Sequence, residues 1–342
     1  MIKLAYLHIT MRHILLFFFV LLSFTAFSQE VEKLMESAKT FTRQGDYANA
    51  KLVLNRALQI KPNDPAILKE LSYTSYLSGD LTAARDIIMP LVESENADVQ
   101  SFQIACNIYK GAGDSKECER LYKKGLKKFP NSGALHFEYG EVLLTQEQPA
   151  EAIKQWEEGI EKDPAYPGNY YHAGKYYYYT KSNPVLSILY GEIFVNSESY
   201  TVRTAEVKNI VLESYKMFFA ETFEYGGKKA NAFQLAVAET LEKQRAQTGQ
   251  GINTESLTMI RTRFLLDWYN KNATKFPYRL FDQLQYLVRE GMFEAYNQWL
   301  FGAAANVVQY QQWTGANAKK NSDFSYYQKN RVFKMPAGQY YK

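Results

Sequence analysis

The chain has 342 residues with 40 basic and 36 acidic side chains, a formal net charge of +4, and so even a balance argues against a whole-protein grip on nucleic acid. Two cysteines, Cys106 and Cys118, are too few for a disulfide framework or a multi-cysteine metal site. No HExxH, GxSxG, Walker A or dinucleotide glycine pattern occurs, so neither cofactor nor metal is expected and the chain reads as non-catalytic.

At the N-terminus, Arg12 and His13 precede an apolar run from Ile14 to Leu22 and then Ser23 to Ser28. A charged start, a short apolar centre and small Ala26 and Ser28 ahead of Gln29 have the layout of a signal peptide over 1–28. The run is short for a bilayer span, and no cysteine follows it to carry a lipid. The expectation is a protein exported to the periplasm or beyond. Met11, just before Arg12, is a second candidate start beside Met1. Losing Lys3 and Arg12 with the leader leaves 38 basic against 36 acidic side chains, a net charge of about +2.

From Val31 to about Tyr200 a period of 34 residues runs through the sequence. Pro62, Pro130 and Pro164 mark it, with Asn96 where the fourth member would stand. Gly45, Gly79 and Gly113 share one phase, each followed by Asp46, Asp80 or Asp114. Small residues recur at Ala50, Ala84, Cys118 and Ala152, and again at Ala57, Gly125 and Gly159. These positions resemble those of the tetratricopeptide-repeat (TPR) family, which implies two antiparallel helices per period, approaching closely only where side chains are small. Ala38 is then expected against Ala50, and Gly140 against Ala152. Glycine ends the first helix and aspartate caps the second, while proline closes the unit. Phe41, Leu54, Tyr109, Tyr122 and Trp156 fill the space between neighbouring units.

The resemblance covers units 31–64, 65–98, 99–132, 133–166 and 167–200. The fourth is the clearest, with His136, Tyr139, Gly140, Leu143, Ala152, Trp156, Gly159 and Pro164 on the family pattern. The fifth departs, with Leu186 at a small-residue position and Glu198 at the proline position. The resemblance implies an all-α solenoid of about five helical hairpins over 29–200.

Beyond Tyr200 the period is lost but helical spacing continues. One helix is expected over Thr204 to about Phe223, a break at Gly226-Gly227, and a second helix over Ala230 to Arg245. Gln247 to Asn253 is a polar linker candidate. Leu257, Ile260, Phe264 and Trp268 then share one helix face, as do Leu280, Phe281, Leu284, Leu287 and Val288. Phe293, Tyr296, Leu300, Ala304 and Val307 define a last helix. The region 201–312 reads as a non-repeat helical cap over the end of the array, which solenoids require. Residues 313–342 read as a basic, aromatic tail. Lys319, Lys320, Lys329, Arg331, Lys334 and Lys342 against Asp323 suggest docking to an acidic protein or an anionic lipid surface, with packing onto the cap as the alternative.

In the third unit Cys106 and Cys118 occupy the two small-residue positions, where backbones come within disulfide range. Export makes oxidation feasible, and both a bond and two small buried thiols fit.

The resemblance also implies a concave groove lined by the first helix of each unit. Carried over, it includes Tyr73 and Tyr76 in the second unit, Phe137 and Glu141 in the fourth, and Tyr171, Lys175, Tyr178 and Tyr179 in the fifth. Four consecutive tyrosines from Tyr176 cannot all face one side of a helix that turns about 100 degrees per residue, so Tyr178 and Tyr179 are expected in the groove. The function expected is a non-catalytic scaffold or adaptor binding an envelope protein or peptide there, without nucleic acid. The alternative is a glycan or cell-wall module, since exposed tyrosines also stack on sugar rings.

Overall fold

A computed structural model describes residues 28–220 and 231–341, and every regular element among them is a helix. The expected signal peptide, save Ser28, and the expected Gly226-Gly227 break lie outside the described residues. Among those described, no helix is long and apolar enough to cross a membrane. The chain divides into two compact units, the first up to Lys128 and the second from Phe129 onward. The division therefore falls inside the array, at the end of the second helix of the third repeat.

The first unit holds three hairpins: α1 over residues 28–43 with α2 (Tyr47–Ile60), α3 (Pro65–Leu77) with α4 (Leu81–Glu93), and α5 (Val99–Gly111) with α6 (Ser115–Lys128). Gly45, Gly79 and Gly113 take φ of +77°, +81° and +76°, a left-handed turn that favours glycine. Asp46, Asp80 and Asp114 then accept hydrogen bonds from the backbone N–H of Asn49, Ala83 and Glu117, which caps α2, α4 and α6 as expected.

The small-residue positions are where the paired helices touch. Ala38, Ala50, Ala84, Cys106 and Cys118 are completely buried, and Ser72 Oγ donates to the Ala84 carbonyl at 2.7 Å. Cys106 and Cys118 stand one period further on. Each sulfur lies 3.6 Å from the other residue's carbonyl oxygen, and both residues are buried. The weak S–H bond from Cys106 occupies the place of the serine bond one repeat earlier. Labelling the unfolded protein without reductant is therefore expected to find two reactive thiols; finding none would show that export oxidises the pair.

The second unit opens with α7 (Gly133–Thr145) and α8 (Pro149–Lys162), then α9 (Pro167–Tyr179) and α10 (Pro184–Ser197). The left-handed turn persists at the same phase although glycine does not, with Glu147 at φ +60° and Lys181 at +53°. Gly140 lies under the Trp156 indole, where an added Cβ would come within 2.2 Å of Nε1. In the fifth repeat Ser187, and not the misfitting Leu186, takes the small-residue position: its hydroxyl donates to the Gly174 carbonyl at 3.0 Å. Every residue of α10 from Pro184 to Asn196 is buried, as suits a helix apolar all round.

Helix α11 (Val202–Phe219) accounts for much of that burial. It packs on α10 and α9, as α9 packs on α8 and α7, and so supplies the first helix of a sixth hairpin that the sequence period does not announce. Then come α12 (Ala232–Glu242), a 3₁₀ turn at Arg245–Thr248, α13 (Thr254–Lys271) and α14 (Arg279–Arg289). The expected linker is a tied connection: Thr248 Oγ1 donates to the Arg245 carbonyl at 2.8 Å, Ser256 Oγ to the Gly251 carbonyl at 2.9 Å, and Asn253 caps α13. The expected last helix is broken. Helix α15 (Phe293–Asn297), a π-helical turn at Gln298–Gly302 and α16 (Ala303–Ala305) end at Asn306, which is extended and caps α17 (Val307–Ala316). Val307 starts this new helix, 53% exposed.

Residues 313–341 are not a free tail. Trp313 to Ala316 complete α17, and α18 (Ala318–Asn330) comes next. Phe324, Phe333 and Met335 are buried, so most of the anchoring apolar groups point inward.

At the junction of α10 with the C-terminal helices sits a buried ionic cluster. Arg261 of α13 pairs with Glu192 of α10 and donates to Asn297 Oδ1 of α15, and both charged side chains are 2% exposed. The Tyr296 hydroxyl donates to Glu192 Oε1 at 2.7 Å and accepts from Asn196 Nδ2 at 2.7 Å. Burial favours the neutral form, yet the Glu192 carboxylate beside Arg261 holds its guanidinium even more firmly charged than usual.

Candidate functional site

The expected groove residues of the fourth and fifth repeats lie along α7 and α9, joined by α11 as a third wall. Tyr171 of α9 is half-buried, and its hydroxyl donates to Glu206 Oε2 of α11 at 2.6 Å. Lys175, one turn on, donates to the same hydroxyl at 2.9 Å and pairs with Glu206 at 2.7 Å. Its ammonium lies 4.6 Å from the Tyr171 ring centre, and the Arg203 guanidinium 5.0 Å, both within cation–π range. Partial burial pushes the Glu206 carboxyl up, but bonds from Lys175 and Tyr171 bring it below the usual range. Burial pulls Lys175 down, and the same two partners more than restore it. Tyr171 is raised, first by burial and then by the Glu206 carboxylate. All three groups are thereby held in one geometry.

One repeat earlier the contact recurs with reversed polarity. Glu141 of α7 stands 3.4 Å from His172 Nε2 of α9, and both this pair and Lys175–Glu206 span 31 residues. Phe137, the counterpart of Tyr171, lies 5.2 Å from the His172 ring and 5.7 Å from the Tyr166 ring. Beneath them Trp156 of α8 stacks on His172 at 4.7 Å and 14°, and its Nε1 donates to the Phe137 carbonyl at 3.2 Å. Gly168 is buried under Phe137 and Tyr166, with no room for a side chain.

The four tyrosines of α9 divide as helix geometry requires. Tyr177 turns toward α8 and α10: its hydroxyl donates to Glu157 at 2.6 Å and its ring lies 6.2 Å from that of Tyr190. Tyr179 is 64% exposed, and Tyr178, half-buried, meets it edge-on at 5.0 Å. In the first unit Tyr73, 39% exposed, stacks on Tyr76 at 6.3 Å. These two belong to the other compact unit and form their own patch.

Sequence reasoning missed Tyr166, Arg203 and Glu206, and saw His172 without its role. His172 could have been found from its 31-residue spacing to Glu141. Arg203 and Glu206 could not, because they lie beyond the last recognisable repeat.

Residues 41–104 and 107–170 each match a family described as tetratricopeptide repeat. No curated protein sequence matches the chain. Among solved structures, that of pilF from Pseudomonas aeruginosa is 14% identical, with 66% of this chain and 95% of that one covered at a TM-score of 0.46. A tetratricopeptide repeat protein from Parabacteroides merdae is 16% identical, with coverages of 72% and 96% and a TM-score of 0.41. A third, the thermophilic TPR protein TTC0263 of Thermus thermophilus, is 14% identical over 56% of this chain and 100% of that one, with a TM-score of 0.40.

Proposed function

Starting from a chain that is a tetratricopeptide-repeat protein, we propose that it is a non-catalytic scaffold of the bacterial envelope that holds a protein partner's peptide against α7, α9 and α11. The observation that carries this is the outward face of α9 and its neighbours. Phe137, Tyr178 and Tyr179 keep exposed aromatic surface beside the Lys175–Glu206 pair, although a hairpin core has no use for them there. Rigid aromatic side chains of this kind dominate binding energy at interfaces. The leader-like start supports export, and with it an envelope partner. A lipid-docking role for the C-terminal tail draws less support, because Lys319 and Lys320 pair with Asp323 and Glu294 and the buried aromatics anchor it. A glycan reading is also weaker, since Tyr178 and Tyr179 meet at 65° and present no common flat platform.

The test must avoid Tyr171, whose ties to Glu206 and Lys175 give it a structural share. Changing Tyr178 and Tyr179 to Ala together is expected to leave the melting temperature nearly unchanged and to weaken the partner by about 2 kcal/mol or more. The partner is first identified by a photo-crosslinker placed at Tyr178, with Lys154 on α8 as the control position. Equal crosslinking at both positions, or unchanged affinity in the double variant, would refute the groove.

A further inference from the structure

Residues 331–341 lie beyond α18 as a segment in no helix or ladder, in a channel walled by the fourth and fifth repeats and the C-terminal helices. Ile160 of α8, Tyr170 of α9, Leu189 and Tyr190 of α10, Phe233 of α12 and Tyr278 line it, and a cavity of about 20 Å³ remains between them and the segment. The Tyr341 ring lies 4.5 Å from Phe233 and 5.4 Å from Phe276. Its hydroxyl donates to the Pro277 carbonyl at 2.6 Å, and its own carbonyl accepts from Asn231 Nδ2 at 2.7 Å. Gln339 Oε1 accepts from the Arg279 N–H at 2.6 Å. Phe333 and Met335 are 3% and 4% exposed, whereas Val332 between α18 and these anchors is 79% exposed. Pro336 to Gly338 bulge into solvent, with Gly338 at φ +81°.

We propose that this channel is a second peptide-binding site, separate from the groove, for an extended segment carrying Phe-x-Met and, after four more residues, Tyr-Tyr, and that the same segment of a second copy exchanges with the resident one. The contacts are those of a bound linear motif. Side chains enter pockets, the hydrogen bonds of Tyr341 and Gln339 each join a side chain to a backbone group, and exposed residues at both bends can act as hinges. A segment from a second copy makes identical contacts, so exchange changes little in energy and is set by concentration. The resident segment competes at an effective concentration in the millimolar range, which keeps the dilute protein closed on itself.

The experiment uses the full chain and a labelled synthetic peptide of residues 331–342. Wild-type protein is expected to take up little peptide. Full chain carrying Tyr340→Ala and Tyr341→Ala, its own strap weakened, is expected to bind at least about ten times more, and a peptide with the same two changes is expected not to bind. Concentrated wild-type protein should form a dimer that excess peptide dissolves. A double variant that melts cooperatively yet takes up no peptide overturns the proposal. So does a variant that fails to fold even with peptide present, because the segment would then be core and not ligand.

Discussion

Arg261→Ala is expected to cost about 3–5 kcal/mol, because it strands the Glu192 carboxylate in the core without a counter-charge. For a unit of this size that lowers the melting temperature by roughly 6–20 °C. The guanidinium is hemmed in by the rings of Phe293, Tyr296 and Phe301, each 5.2–5.4 Å away, so water has no easy route to the orphaned carboxylate. The position also matters for architecture. Glu192 belongs to α10, Arg261 to α13 and Asn297 to α15, so the cluster fixes the C-terminal helices onto the last repeat. Arg261→Met combined with Glu192→Leu removes both charges, and by the same reasoning should recover most of the loss or exceed wild type. Denaturant titration of the single and double variants checks this. A cost below about 1 kcal/mol for Arg261→Ala would show that the pair is solvated after all.

The contrast between the array and that cluster explains how far the sequence could be read. A repeat is legible because each hairpin must meet the same local demands at the same phase: a left-handed turn, an N-cap, a close approach. Gly45, Gly79 and Gly113 show the turn openly. Glu147 and Lys181 make the same turn without announcing it, since a left-handed residue costs only about 1–2 kcal/mol and packing from both hairpin helices outweighs that. Ser187 likewise shifts the close approach by one residue, which made the fifth repeat look more irregular than it is. The C-terminal helices face no repeated demand. Their contacts, Glu192 with Arg261 or Phe233 with Tyr341, join residues about 70 to 110 apart with no spacing rule to betray them. The inward packing of Phe324, Phe333 and Tyr341 stood only as the alternative to docking, for the same reason. Phe137, Tyr171 and Lys175 could be placed on the groove helices from the family resemblance carried along the period, but not the partners that hold them, because Glu206 lies past the point where the period ends.

Trp156→Ala is expected to cost about 3–5 kcal/mol, as for other large aromatic truncations in cores, and to abolish partner binding along with it. The indole is 1% exposed and lies over Gly140, which has no side chain to move into the space left behind. His172 then loses the ring it stacks on and the Phe137 carbonyl loses its donor, so the floor under the fourth-repeat half of the groove is gone. Gly140→Ala alone is also expected to destabilise, by about 1–3 kcal/mol, since its Cβ has no room beside the indole. Made together, the two changes should not add. With the indole absent, the alanine methyl occupies part of the cavity and favours the helix over glycine by about 1 kcal/mol, so Gly140→Ala should change sign and stabilise the Trp156→Ala protein. Partner affinity should stay lost in that double variant, because the methyl does not restore the stack on His172. Denaturant unfolding of the four proteins gives the coupling energy directly. Additivity within about 0.5 kcal/mol would mean that Gly140 and Trp156 do not share the contact; recovered affinity in the double variant would mean that the groove does not depend on His172 and Phe137 being held from below.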